Sequence, residues 1–395
     1  MRQGYVTAIA LCFGVLVLEA AASAGADELV YIGTHGTAGK TAAPAGSAQG
    51  SPAQQGIYAA RLDTKTGHLS PLGLATELQR ATWLVIHPTL PVIYSMAQSA
   101  DGMAADSNIH SFRIDKATGA LHQINVVDAG GHDSTHLAFD SASNTLFSAN
   151  YGSGNVTALP VLADGSLGEV ASEQKDYGSG PHPRQKSAIA HGVTVDRTHQ
   201  WVLVTDFGAD RIFVYHFDKA TRKLTPATTP FTPVAPGSGP RHPVFHPDGK
   251  TLYFNNELSG EIRAYHWDSR GGTLTPQQSV SPYPADYSGE RSAAEIGLSR
   301  DGRFLYLSLR GGQDSVLVYA VDKLSGNLTE IQRISSQGKV PWSFGIDASG
   351  RWMLVTNEAS NSVAVLKVDP VTGMLAATDE SLSIPNPVAV AFYSH

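Results

Sequence analysis

Apolar and polar residues alternate in short runs along most of this chain, and turn residues separate the runs. In the stretch Gly237 to Leu274, two runs flank the turn Pro247-Asp248-Gly249. A third extends from Glu261 to Trp267 and ends in Asp268 and the turn Gly271-Gly272-Thr273-Leu274. A period of two, broken at intervals of about ten residues, predicts consecutive antiparallel strands, with a fourth after Leu274.

This unit recurs. The turn Asp-x-x-x-Gly-x-Leu, or a clear relative of it, ends at Leu69, Leu121, Leu167, Leu224, Leu274, Leu328 and Leu375. The third copy shrinks to Ala163-Asp164-Gly165-Ser166-Leu167, and in the fourth Thr221-Arg222-Lys223 replaces the glycine. A period of roughly 50 residues marks a repeat architecture. A second landmark, the turn between the first two strands, recurs at His87-Pro88, Asp140, Asp196, His246-Pro247, Ser299 to Gly302 and Asp347 to Gly350, with one copy missing.

The missing copy shows how the ends meet. Leu29 to Thr34 aligns with a second strand and Gly56 to Asp63 with a third, whereas Asn386 to Tyr393 aligns with a first strand. The C-terminal strand is thus expected to complete the N-terminal sheet, which leaves no open edge. The predicted fold is all-β, a seven-bladed β-propeller of four-stranded antiparallel blades spanning residues 25–395. Two stretches depart from the repeat. Gly36 to Gln55 is rich in Gly, Ala, Ser, Pro and Gln and reads as a mobile surface loop. Gly178 to Ile189 is a long connection before the fourth blade, and connections of that length are often functional.

Composition narrows the partners. A net charge of -7 with 16% charged residues and no basic block argues against nucleic acid. Residues 1–24 combine Arg2, an apolar core from Ala8 to Leu18 and the small residues Ala22-Ser23-Ala24. That pattern reads as a secretory signal peptide, so a periplasmic or secreted protein, free of the membrane after cleavage, is expected. The single cysteine, Cys12, lies inside it. The mature chain would hold neither thiol nor disulfide, and a monomer stabilised by its core is expected.

In a propeller the start of the first strand and the end of the second open on one face. Five residues before each turn landmark stand Thr82, Thr135, His191, Arg241, Ala294 and Trp342, and the next position adds His136, His242 and Glu295. At the end of the second strands stand His35, Gln98, Tyr151, Phe207, Glu257, Arg310 and Glu358. Packing alone needs only apolar and turn residues there, so charged groups that differ from blade to blade around one mouth point to a site. The sharpest group is His191, Arg241, Glu257, Glu295 and Arg310, where guanidiniums, carboxylates and an imidazole supply anion recognition with an acid or base. The competing reading pairs Arg241 with Glu257, and Arg310 with Glu295, as structural salt bridges of the channel. His87 and His246 read as turn residues, and His110, His216 and His266 as third-strand residues away from the channel. No His/Asp/Glu spacing suggests zinc, and Asn150, Asn255, Asn357 and Glu358 read as strand-end residues satisfying backbone groups rather than calcium ligands. No metal or other cofactor is expected.

The motifs YIGT at Tyr31, NYGSGNV at Asn150, GSGPRHPVFHPDG at Gly237, NNEL at Asn255, AAEI at Ala293 and LRGG at Leu309 resemble the seven-bladed propeller lactonases. That group includes propeller-type 6-phosphogluconolactonases and carboxymuconate cyclases. The resemblance implies a small-molecule lactone substrate and metal-independent hydrolysis by general acid/base chemistry. It places His191, Arg241, Glu257 and Arg310 as catalytic, with His242 and Glu295 in family motifs beside them; with Trp342 and Tyr151 at the same mouth, these are the expected substrate contacts. In that scheme Glu257 or His191 is the base, Arg241 faces the oxyanion and Arg310 holds a substrate anion. Two departures stand out. Ala188-Ile189-Ala190-His191 replaces a Pro-His-x-His, and Pro341-Trp342 stands where a Pro-Arg is common. A cyclase-like isomerase and a non-enzymatic binding propeller are the alternatives that the residues leave open.

Overall fold

The alternating runs fold as the repeat predicts. The structure, a computed structural model, describes Met1 and residues 27–35, 55–98 and 106–394. The expected signal peptide and most of the Gly36 to Gln55 insertion lie outside the described residues. Seven four-stranded antiparallel sheets follow one another, six of them built from consecutive strands. In order from the channel outward, blade one is Pro387–Tyr393, Glu28–Thr34, Gly56–Leu62 and Leu69–Glu77. The inner strands of blades two to seven are Leu84–Ile86, Ser134–Asp140, Ala190–Val195, Pro240–Phe245, Ala293–Leu298 and Pro341–Ile346.

The ring closes where the sequence places the closure. Leu29 pairs with Tyr393, Ile32 with Val390 and Thr34 with Pro387. Between blades, the sheet faces pack on each other: Tyr31, Ile93 and Phe112 join blades one and two, and Ile32, Leu354 and Val365 join blades one and seven. These side chains are all but inaccessible to water, and each such burial contributes about 1.5–3 kcal/mol.

The turn between third and fourth strands is stereotyped. In blade one, Asp63 Oδ1 accepts the N–H groups of Lys65 and Thr66, and the Gly67 N–H returns to the Asp63 carbonyl. Gly67 has φ +81°, a conformation that a Cβ disfavours. In blade four the same station is Arg222, which adopts φ 57° without being glycine. An aromatic residue of the preceding blade reaches several of these turns. Tyr94 donates to the Gly165 carbonyl at 3.0 Å, Tyr253 to Gly326 at 2.5 Å, Tyr306 to Gly373 at 3.0 Å and Trp201 to Ser269 at 2.8 Å. Across the closure, Trp352 Nε1 donates to the Thr64 carbonyl at 3.0 Å.

Removing residues 386–395 would strip blade one of its inner strand, expose Glu28–Thr34 as an edge and uncover the faces that pack on Val388 and Tyr393. The truncated protein should lose its cooperative thermal transition and associate, as read by calorimetry and size-exclusion chromatography. A monomer with an unchanged melting temperature would contradict this closure.

Candidate active site at one mouth of the ring

Every inner strand from blade three to blade seven breaks its ladder at the same station. The register shifts between Ser134 and His136, Ala190 and Gly192, Pro240 and Pro243, Ala293 and Ile296, and Pro341 and Ser343. The residues set free are Thr135, His191, Arg241 with His242, Ala294 with Glu295, and Trp342. A β-bulge re-aims side chains out of the pleat. Second-strand side chains satisfy the backbone groups it leaves. The His242 N–H bonds Asn255 Oδ1 at 3.1 Å, the Glu295 N–H bonds Ser308 Oγ at 2.9 Å, and the Ser343 N–H bonds Thr356 Oγ1 at 3.1 Å.

The bulges open on a cavity of about 170 Å³. Its wall includes His35, Thr82, Thr135, Tyr151, His191, Arg241, His242, Glu257, Arg310 and Trp342, together with Arg184 from the long connection before blade four. At its centre is the Glu257 carboxylate. Oε2 lies 3.2 Å from Arg241 Nε, 3.3 Å from an Arg310 Nη and 3.7 Å from His191 Nε2, while Oε1 accepts from Arg184 at 2.7 Å. Burial alone would raise the Glu257 pKa, but Arg310, Arg241, His191 and Arg184 outweigh it and hold the group well below the carboxylate range. Burial, then Arg241 and His242, push His191 well below the ordinary histidine value, so it is neutral at pH 7. Arg241 is pushed down to about 10, first by burial and then by Arg310, and keeps its charge at neutral pH. Its Nη1 also donates to the Ala294 carbonyl.

Trp342 lies beside the cations, with its ring centroid 4.6 Å from the Arg310 guanidinium and 6.0 Å from that of Arg241. A cation–π contact of this kind is worth about 0.5–2 kcal/mol. On the other wall Tyr151 packs edge-on against His191, with centroids 5.5 Å apart. His35 bonds Glu358 at 2.9 Å and meets Arg80 at 3.1 Å.

Two sequence expectations need correction. Arg310 pairs with Glu257, not with Glu295. Glu295 lies behind His242, off the cavity wall, with Oε1 3.1 Å from His242 Nδ1 and Oε2 accepting from Ser343 Oγ at 3.2 Å. Its side-chain partners are inner-strand residues of blades five and seven, not Arg310 at the end of its own second strand. Arg184 was missed because no repeat aligns it. The length of its loop was the only signal. His110, His216 and His266 lie on third strands, away from the mouth, as expected. The amide of Asn255 bonds the Ala294 carbonyl and that of Asn357 the Ser336 carbonyl, each at 2.9 Å, so both serve the backbone. Among the described residues, no group of three or more His, Cys, Asp and Glu is arranged to hold a metal.

Fold and site together define a seven-bladed propeller with a buried, arginine-clasped carboxylate at one mouth. Residues 31–392 match the sequence model of the family described as "Lactonase, 7-bladed beta-propeller", and the chain belongs to that family. It is 33% identical over 338 residues to a 6-phosphogluconolactonase of Bacillus subtilis, covering 86% of this chain and 94% of that protein. A 6-phosphogluconolactonase of Serratia proteamaculans is 30% identical over 325 residues, covering 82% and 92%. Among solved structures, the periplasmic gluconolactonase PpgL of Pseudomonas aeruginosa superposes with a TM-score of 0.83 at 31% identity, covering 93% of this chain and 99% of that one.

Glu295 offers a test of the site's electrostatics. Burial raises its pKa from the ordinary 4.5 to about 7, against the lowering effects of Arg241 and His136. The folded protein therefore keeps a proton that the unfolded chain releases between those values, and this group's contribution to stability falls as pH rises through that window. Glu295→Gln cannot titrate. Its stability relative to the parent should rise between about pH 5 and about pH 8 in urea unfolding at matched pH, and a flat difference would refute the raised value.

Proposed function

We propose that the protein hydrolyses a sugar-type lactone at this mouth without a metal, by general acid/base catalysis. The observation that carries the reading is the Glu257 carboxylate clasped by Arg241 and Arg310 beside a neutral His191. Attack on a lactone needs a base for the water proton and fixed positive charge where the oxyanion develops. Glu257 is ionised, with both oxygens already committed to guanidiniums. His191 takes the role of base: it removes the proton as the water oxygen bonds the carbonyl carbon, and Glu257 stabilises the resulting imidazolium. The guanidiniums of Arg241 and Arg310 face the oxyanion. As the carbonyl re-forms, the ring C–O bond breaks and the leaving alkoxide takes the proton back from His191, which balances the reaction. Tyr151, His242 and Trp342 shape the wall against the sugar. Glu295 holds His242 from behind.

Hydrolysis of a panel of gluconolactones, phosphorylated and not, with and without chelator, tests the reading. Turnover of none would refute it, and activity lost to chelator would refute the metal-free scheme. Glu257→Gln and Arg241→Ala should each lower kcat about a hundredfold or more. If the cluster were only a structural salt bridge, turnover would persist while stability fell by roughly 3–5 kcal/mol. With His191 as the base, the acidic limb of the rate profile should lie below pH 6.5, the direction in which burial moves its pKa.

Residues 1–24 and the periplasmic P. aeruginosa relative together support export. N-terminal sequencing of the natural protein should start near Gly25, and an intact Met1 in a cytoplasmic fraction would refute export.

A further inference from the structure

The cavity wall carries Arg80, Arg184, Arg241 and Arg310 against the carboxylates of Asp133 and Glu257. With His191 and His242 held neutral by burial, positive charge is in surplus by about two. Three of the guanidiniums converge on the single carboxylate of Glu257. Unbalanced charge of this kind in a partly dry site is a demand for an anionic ligand.

The three are not equivalent. The side chains of Arg241 and Arg310 are only 3% and 9% exposed and belong to the blades, whereas Arg184 is 48% exposed and rides on the connection before blade four. Arg184 spends Nη1 on Glu257 and Nη2 on the Tyr151 hydroxyl at 3.3 Å, and its guanidinium lies 4.5 Å from the Phe207 ring centroid. A guanidinium has five N–H donors in a planar fork, which suits a tetrahedral oxyanion better than one carboxylate oxygen.

The backbone beneath it is built, not loose. Gln185 is 1% exposed. Its amide donates to the Phe207 carbonyl at 2.7 Å and to Asp210 at 2.8 Å, and its Oε1 accepts the His182 N–H at 3.0 Å. Asp210 in turn accepts the Gly237 and Gly239 N–H groups at 2.7 and 2.8 Å. Pro181 and Pro183 restrict the residues beside them. The loop is therefore fixed to blades four and five at the residue after Arg184, while the Arg184 side chain stays half exposed at the mouth.

We propose that Arg184 is a specificity-determining residue that exchanges Glu257 for a phosphate monoester on the substrate. The inference rests on the lactonase reading for the bond that is cleaved, but not for the group that is recognised. A phosphate monoester carries about -1.5 to -2 charges at pH 7 and matches the surplus on the wall. Its arrival draws Arg184 away and leaves Glu257 to Arg241, Arg310 and His191.

The test compares the parent with Arg184→Met and Arg184→Lys on 6-phosphogluconolactone and on gluconolactone, with thermal unfolding to verify that each variant is folded. The ratio of kcat/KM for the phosphorylated over the plain lactone should fall at least tenfold in Arg184→Met, chiefly through KM, and by less in Arg184→Lys. An unchanged ratio, including equal losses on both lactones, would overturn the proposal and make Arg184 a support for Glu257 alone. Calorimetric binding of the products, 6-phosphogluconate and gluconate, separates this from the lactonase reading. If the parent turns over neither lactone, that reading fails, yet a preference for the phosphorylated acid that Arg184→Met abolishes still supports the exchange. Absence of any preference in the parent overturns it.

Discussion

A sheet whose inner strand is Pro387–Tyr393 and whose second strand is Glu28–Thr34 joins the first and last strands of the fold in one blade. Each blade presents one apolar face to the next, so an open chain of blades would leave two large apolar faces in water. Pairing Leu29 with Tyr393 removes both at once. The aromatic contacts run the same way around the ring, from a second strand to the outer turn of the following blade, and Trp352 to Thr64 carries that pattern across the closure. With the ring shut, the seven inner strands converge on one axis. Only then do groups from distant parts of the sequence share a cavity.

Convergence alone would give a channel lined by ordinary pleated strands. The site exists because the ladder fails at one station in six successive blades, from three through seven to one, and because Asn255, Ser308 and Thr356 bond N–H groups left behind. A bulge without such a partner would leave a buried N–H unpaired, at about 1–3 kcal/mol. The same rigidity lets Arg241 and Arg310 crowd one carboxylate. Their mutual repulsion is set against the attraction of Glu257, and the strands do not yield to relieve it.

Strand order, blade number and closure were legible in the sequence because a period of two and the Asp-x-x-x-Gly turn report local geometry directly. Even the irregular fourth copy kept its conformation: Arg222 takes the left-handed angle of the glycine it replaces. The mouth was legible as a set of positions, which brought His191, Arg241, Glu257 and Arg310 together. Pairing among them was not. Alignment counts residues along a strand, whereas a bulge changes which way they face, so Glu295 was paired with Arg310 although it meets His242. Arg184 belongs to no repeat, and the path of its loop depends on the buried Gln185 amide, whose partners in two blades no local pattern discloses.

Thr135, His191, Arg241 and Trp342 occupy one geometric station in four different sheets. Each bulge N–H of blades five to seven is met by a side chain of its own second strand, so the station persists whatever side chain it carries. Repeats that began alike would offer the same side chain at every station and bind a symmetric ligand at best. Divergence of one station at a time converts that symmetry into a directional surface, on which an asymmetric molecule has a single orientation. The ring is in this sense a set of variable letters around one cavity, with an imidazole, a guanidinium and an indole at His191, Arg241 and Trp342 on the same backbone geometry.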